Sequence, residues 1–186
     1  MTQSDLLHDE QLVALAQKDP GQFKLLYEKY FRQIFLFVLH RVGEKSLAAD
    51  ITSQVFLKAL LNIQKFKYKG VPFSAWLFRI ALNECNSFFR SSKRERYVSL
   101  DDAALSGLHA ELTADTTEDD LYERLPSILA HLEEEDLQLI ELRFFELRPF
   151  KEIGEILDLT ETHAKVKVYR LLDRMKKIFL ERNKWT

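Results

Sequence analysis

From Gln22 to Arg41, apolar side chains fall at Phe23, Leu26, Tyr27, Tyr30, Phe31, Ile34, Phe35, Val38 and Leu39. Steps of one, three and four place them on one face of a helix, the stripe an amphipathic helix turns toward a core. Pro20 stands where a first turn tolerates proline, and Gly43 where such a helix ends. A short helix around Asp9 to Gln17 precedes it. Ser46 is placed to cap a third helix that buries Leu47, Ile51, Val55, Phe56, Ala59, Leu60 and Ile63. The stretch 65–72, KFKYKGVP, breaks the period with Gly and Pro and reads as a basic loop. A fourth helix starts near Phe73. It buries Phe73, Trp76, Leu77, Ile80, Ala81 and Phe88 and runs into the basic cluster Arg90 to Arg96.

After Tyr97 the period fades into DDAALSGLHAELTADTTEDD, which is acidic, small and polar and reads as a loose or partly ordered linker. Thr116 or Thr117, ahead of Asp119 and Asp120, is placed to cap the next helix. Helical patterns then follow at about 119–131, with Pro126 as a kink or restart, and at 133–145, 150–157 and 161–182. No strand-like alternation of useful length occurs. The expected fold is all-α: two small helical domains, residues 8–96 and 119–183, joined by an acidic linker at 97–118, with a helix-turn-helix in the second.

Composition agrees with few turns and long helices, since the 186 residues include only 5 Gly and 4 Pro. One cysteine excludes an internal disulfide and a Cys-rich zinc site and suits a reducing cytoplasm. The longest apolar run, Ile34 to Leu39, is far short of a membrane span, and the acidic N-terminus is unlike a secretion signal. The formal net charge of −2 hides a segregation: residues 65–96 carry net +6, residues 97–136 net −11 and residues 163–186 net +6. Two basic segments, each on a helical pattern, suggest two surfaces that face a polyanion.

Two constellations fit that chemistry. In FKEIGEILDLTETHAKVKVYRLLDRMKKI, a short helix buries Phe150, Ile153 and Leu157. A tight connection follows, with Thr160 or Thr162 available as a cap. A long helix then buries Ala164, Val168, Leu171 and Met175. This is helix-turn-helix grammar, and the outward residues Thr162, His163, Lys165, Val166, Lys167, Tyr169 and Arg170 face a duplex. They combine phosphate anchors, hydrogen-bonding groups and a methyl-bearing side chain that suits a thymine methyl. The second constellation is the basic loop with its aromatic residues, followed by the fourth helix. Aromatic rings interleaved with cations suit single-stranded nucleic acid, with Lys67, Tyr68 and Lys69 in the loop and Asn83, Asn86 and Arg90 on one helical stripe. Trp76 falls at core spacing.

AADITSQVFLKAL, then FSAWLFRIALN with Arg90 and a basic tail, then an acidic linker and a terminal helix-turn-helix resemble the extracytoplasmic-function (ECF) sigma factors of bacterial RNA polymerase. The likeness runs from about residue 10 to 180. It implies a non-enzymatic, cofactor-free protein that binds core polymerase and promoter DNA. It implies that Asp50, Ser53, Gln54 and Phe56 belong to the helix that docks on polymerase. The loop and the Asn83, Asn86, Arg90 face would take the unpaired non-template strand of the minus-ten element. The terminal helix would read the minus-thirty-five duplex. An anti-sigma factor is a further partner the resemblance makes room for. The chain departs from the family pattern at Ala49, Ser53, Gln54, Ser87, His163, Val166 and Leu172.

A stand-alone helix-turn-helix regulator explains the C-terminal pattern but leaves the basic aromatic loop unused. Enzyme chemistry has little to stand on: His8, His40, His109, His131 and His163 are scattered, and no glycine-rich phosphate loop exists. His131 and Glu135 have the spacing of a surface ion pair rather than a metal site, and Cys85 reads as a structural thiol.

Overall fold

The computed structural model describes residues 3–68, 70–92, 107–108, 110–112, 124–129 and 131–182. All regular structure among them is helical, and the chain divides broadly at Tyr97 into two compact units.

The first unit holds α1 (Gln3–Lys18), a 3-10 turn (Pro20–Gln22), α2 (Phe23–Val42), α3 (Lys45–Asn62), a second 3-10 turn (Ile63–Lys65) and α4 (Phe73–Ser92). The heptad-like stripe of α2 is buried at Phe23, Leu26, Tyr30, Ile34 and Val38, and Phe37, absent from the expected stripe, joins them. The Phe37 ring meets Phe78 of α4 edge-on at 4.8 Å. Pro20 opens the 3-10 turn, whose cap is the Asp19 carboxylate accepting from the Gly21 N–H at 2.9 Å. Gly43 ends α2 with φ 70°, its N–H donating to the Leu39 carbonyl at 2.8 Å. A residue with a Cβ would be strained there. Ser46 does not cap α3. That helix starts one residue earlier, behind Glu44, and the Ser46 hydroxyl donates to the Glu44 carboxylate.

The second unit contains a helical segment at 124–129, then α5 (Glu134–Ile140), which runs on as one π-helical turn (Glu141–Phe145). After it come α6 (Phe150–Leu157) and α7 (Glu161–Arg182). Pro126 lies within the described helical residues 124–129. The long α7 buries Ala164, Val168, Leu171 and Met175, as their spacing implies, and also Leu172. In the region expected to be a linker, residues 107–108 and 110–112 are helical, with Leu108 and Leu112 buried. Thr116, Thr117 and most of the acidic tract lie outside the described residues.

Candidate nucleic-acid interface

The turn between α6 and α7 is built by three residues. Asp158 adopts φ 60°, the left-handed conformation that ends α6, and its N–H and that of Leu159 both return to the Gly154 carbonyl. Gly154 is buried where a Cβ would stand 2.7 Å from the Leu159 carbonyl oxygen, so only glycine lets the turn come this close. Thr160, not Thr162, caps α7, its hydroxyl accepting from the His163 N–H at 3.2 Å.

That geometry leaves Thr162, His163, Lys165, Val166, Tyr169 and Arg170 exposed on the front of α7. Lys167 is different. It is half-buried on the flank and pairs with Glu135 of α5 at 3.2 Å, so it is tied to its own domain. Arg174, two turns on, pairs with Asp136. Glu135 therefore serves Lys167 rather than His131, whose ring Nδ1 lies 2.6 Å from the Ser127 carbonyl. On the opposite flank the Tyr169 ring rests against Phe150 at 6.1 Å, and the Arg143 guanidinium covers Phe150 at 4.8 Å. Arg143 also donates to the Arg148 carbonyl at 3.2 Å. This column braces Tyr169, and sequence reasoning missed it because its members lie on three separate elements.

In the first unit, the loop between Lys65 and Phe73 is stitched down at its base. Phe66 packs edge-on to Phe73 at 5.2 Å and against Trp76 at 5.0 Å, and Trp76 is half-buried. Lys67 is exposed and Tyr68 half-buried, while Lys69 lies outside the described residues. Burial, then the carboxylates of Glu10 and Asp9, push the Tyr68 phenol above its ordinary 10.0. Gly70 takes φ 69° at the bend. Along α4, Asn83 and Arg90 are exposed seven residues apart, on one face. Asn86 between them is half-buried, its carbonyl accepting from the Arg41 guanidinium of α2 at 3.4 Å. The stripe thus has two open ends and a centre that also braces the helix pair.

On α3, Asp50, Ser53 and Gln54 are exposed, with the Ser53 hydroxyl donating back to the Ala49 carbonyl at 2.8 Å. Phe56 cannot be a surface contact. It is 4% exposed and lodged among Phe23, Tyr27 and Phe31 of α2. Leu57 and Leu61 are exposed in its place, and Leu61 to the extent of 70%. Positions 50, 54, 57 and 61 share one helical face. Leu57 and Leu61 fall outside the buried stripe read from the sequence, and no chemistry of the docking motif singled them out.

Among the described residues no cluster of His, Cys, Asp or Glu could hold a metal ion, and no helix is long and apolar enough to cross a membrane. Cys85 is buried in α4.

Comparison with known proteins gives these surfaces a common setting. Residues 26–95 match Sigma-70 region 2, and residues 128–177 match Sigma-70, region 4. The chain is 30% identical over 173 residues to the ECF RNA polymerase sigma factor BldN of Streptomyces coelicolor, covering 90% of this chain but only 64% of that protein. It is 23% identical over 154 residues to the ECF RNA polymerase sigma factor SigM of Bacillus subtilis, covering 83% of this chain and 93% of that one. Its fold is shared with CnrH, solved in complex with the cytosolic domain of CnrY, at a TM-score of 0.57 and 18% identity, over 91% of this chain and 97% of the other. With a region 2 helical unit followed by a region 4 helix-turn-helix, the chain belongs to the ECF subfamily of bacterial RNA polymerase sigma factors.

Proposed function

We propose that this protein is a specificity subunit that binds core RNA polymerase and directs initiation at chosen promoters. The observation that carries the reading is the pairing of two cationic surfaces with the two matched regions. The loop and outer face of α4 lie within residues 26–95, and the front of α7 lies within residues 128–177. In this reading α3 docks on polymerase through Asp50, Ser53, Gln54, Leu57 and Leu61. Lys67, Tyr68, Asn83, Asn86 and Arg90, with Lys69, take the unpaired minus-ten strand. Thr162, His163, Lys165, Val166, Tyr169 and Arg170 read the minus-thirty-five duplex, with Lys167 as an anchor held in reserve.

The chain's net charge of −2 makes the free protein a weak DNA binder. Polymerase, by holding both surfaces on one promoter, joins two weak sites into one strong one, a gain of roughly 10² to 10⁴ without new contacts. Unpairing costs a few kcal/mol per flipped base, offset by stacking on the loop and by phosphate contacts. The protein supplies no catalysis of its own and works in the cytoplasm. An anti-sigma factor that covers these faces is a natural partner.

Run-off transcription with core polymerase on randomised promoters tests the reading. Promoter-specific transcripts that require this chain support it. Tight duplex binding by the free chain, with no association with core, would instead favour a stand-alone regulator.

A further inference from the structure

We propose that α1 is a positioning element for strand capture, with Asp9 and Gln17 pinning the two ends of the 66–72 loop. The proposal rests on the reading of that loop and of α4 as the surface for an unpaired strand.

Asp9 is 0% exposed. A carboxylate removed from water persists only when paired and hydrogen-bonded, and Asp9 is both. It accepts from the Tyr30 hydroxyl at 2.5 and 2.6 Å and from the Lys29 ammonium at 2.6 Å. Its third partner is the backbone N–H of Phe73, at 2.8 Å. Phe73 is the first residue of α4, and that N–H is one of the donors a helix leaves without an internal acceptor. The residue ahead of it is Pro72, which has no side-chain acceptor to offer as a cap. Asp9 supplies the missing cap from 64 residues away, and its negative charge opposes the positive end of α4.

Gln17 does the corresponding work at the loop's other end. Its amide donates to the Ile63 carbonyl at 2.9 Å and to the Phe66 carbonyl at 3.1 Å, and the Gln64 amide returns to the Gln17 carbonyl at 2.5 Å. Asp9 and Gln17 are eight residues apart on one helix, about 12 Å along its axis. The departure from α3 and the start of α4 are therefore fixed to a single rigid rod. The phenol of Tyr68 feels the charges of Glu10 and Asp9 on the same helix. A loop held in this way loses less freedom when a strand arrives, and the saving appears as affinity.

The test uses the full chain assembled with core polymerase. Three readouts are compared: holoenzyme assembly, binding of a duplex carrying only the minus-thirty-five element, and capture of a fork DNA presenting the unpaired minus-ten strand of a promoter the wild-type protein transcribes. Gln17→Ala and Asp9→Ala are expected to weaken fork capture by about tenfold while the other two readouts hold. Asp9→Asn, whose amide oxygen can still accept from Phe73, should recover part of the loss. Normal fork capture by the Gln17→Ala protein overturns the proposal, and does so even if Asp9→Ala fails to fold. An equal loss in all three readouts for Gln17→Ala overturns it too, since that is a stability effect rather than positioning. If the wild-type chain neither assembles with core nor captures the fork, the proposed function has failed instead.

Discussion

Gly154 and Leu159 meet across the turn of the helix-turn-helix so closely that a single added methyl on Gly154 would stand 2.7 Å from the Leu159 carbonyl oxygen. The obstacle is backbone, which cannot swing aside as a side chain can. Ala is worth up to about 1 kcal/mol more than Gly inside a helix, but here the turn must open to admit it. Gly154→Ala is expected to lose about 1–3 kcal/mol of stability in denaturant melts and to weaken binding of a minus-thirty-five duplex. A variant as stable as the parent would show that the turn has slack.

Phe56 and Leu61, five residues apart on α3, should behave in opposite ways. Phe56 fills the seam with α2, so Phe56→Ala is expected to cost about 3–5 kcal/mol in chemical denaturation. Leu61 stands in solvent, so Leu61→Ser should leave stability within about 0.5 kcal/mol. Leu61→Ser should nonetheless weaken assembly with core polymerase in a pull-down or fluorescence titration. Retained assembly would remove Leu61 from the docking face.

The pair also marks how far the sequence could be read. The helices at 150–157 and 161–182 were legible because their apolar period is clean, and the buried face of α7 follows it residue by residue. The resemblance to sigma factors was legible for the same reason: its motifs are local. What failed to show was everything that depends on a partner distant in the chain. Phe56 is the exception: the apolar stripe of α3 already placed it in the core, where the structure holds it. The Glu135 partner of Lys167 is 32 residues away, and the Arg41 partner of Asn86 is 45 away. Ser46 has the chemistry of a cap but sits one residue inside the helix that Glu44 begins. The π turn at Glu141–Phe145 has no signature in the sequence.

Leu147 is a bulky residue in a glycine's conformation. Its φ is 52°, and its side chain is 75% exposed, so little packing repays the strain. Leu147→Gly is expected to raise stability by about 1 kcal/mol, read as a higher Tm. Asp158, at φ 60°, should gain less from the same change, since short polar residues tolerate the left-handed region better. A drop in Tm for Leu147→Gly would mean that the leucine makes a contact worth more than the strain.

The raised phenol of Tyr68 has a pH consequence. The folded state favours the neutral ring, so the stability this residue contributes is full below its ordinary value of 10.0 and is lost as pH rises through the higher folded value. Phenolate absorbance, taken as the difference between wild type and Tyr68→Phe, should show this tyrosine titrating above 10.0. Glu10→Gln should bring the midpoint down, because one of the neighbouring negative charges is gone. A midpoint at or below the ordinary value would place Tyr68 in open solvent.

Among the described residues, Lys167 is a cation proposed for the recognition helix that pairs within its own domain. Glu135, its partner, is 82% exposed at the side chain, so the pair contributes little to stability. Under the proposed function, it competes with DNA phosphate for the ammonium. Glu135→Gln should therefore leave the melting curve almost unchanged, since Glu134 and Asp136 still place negative charge at the start of α5. Affinity for the minus-thirty-five duplex should rise by about threefold at low salt, and the dependence of log affinity on log salt should steepen by about one. The gain must vanish when Lys167→Gln is added. If it persists, the effect comes from removing a repulsive carboxylate near the phosphates and not from freeing Lys167.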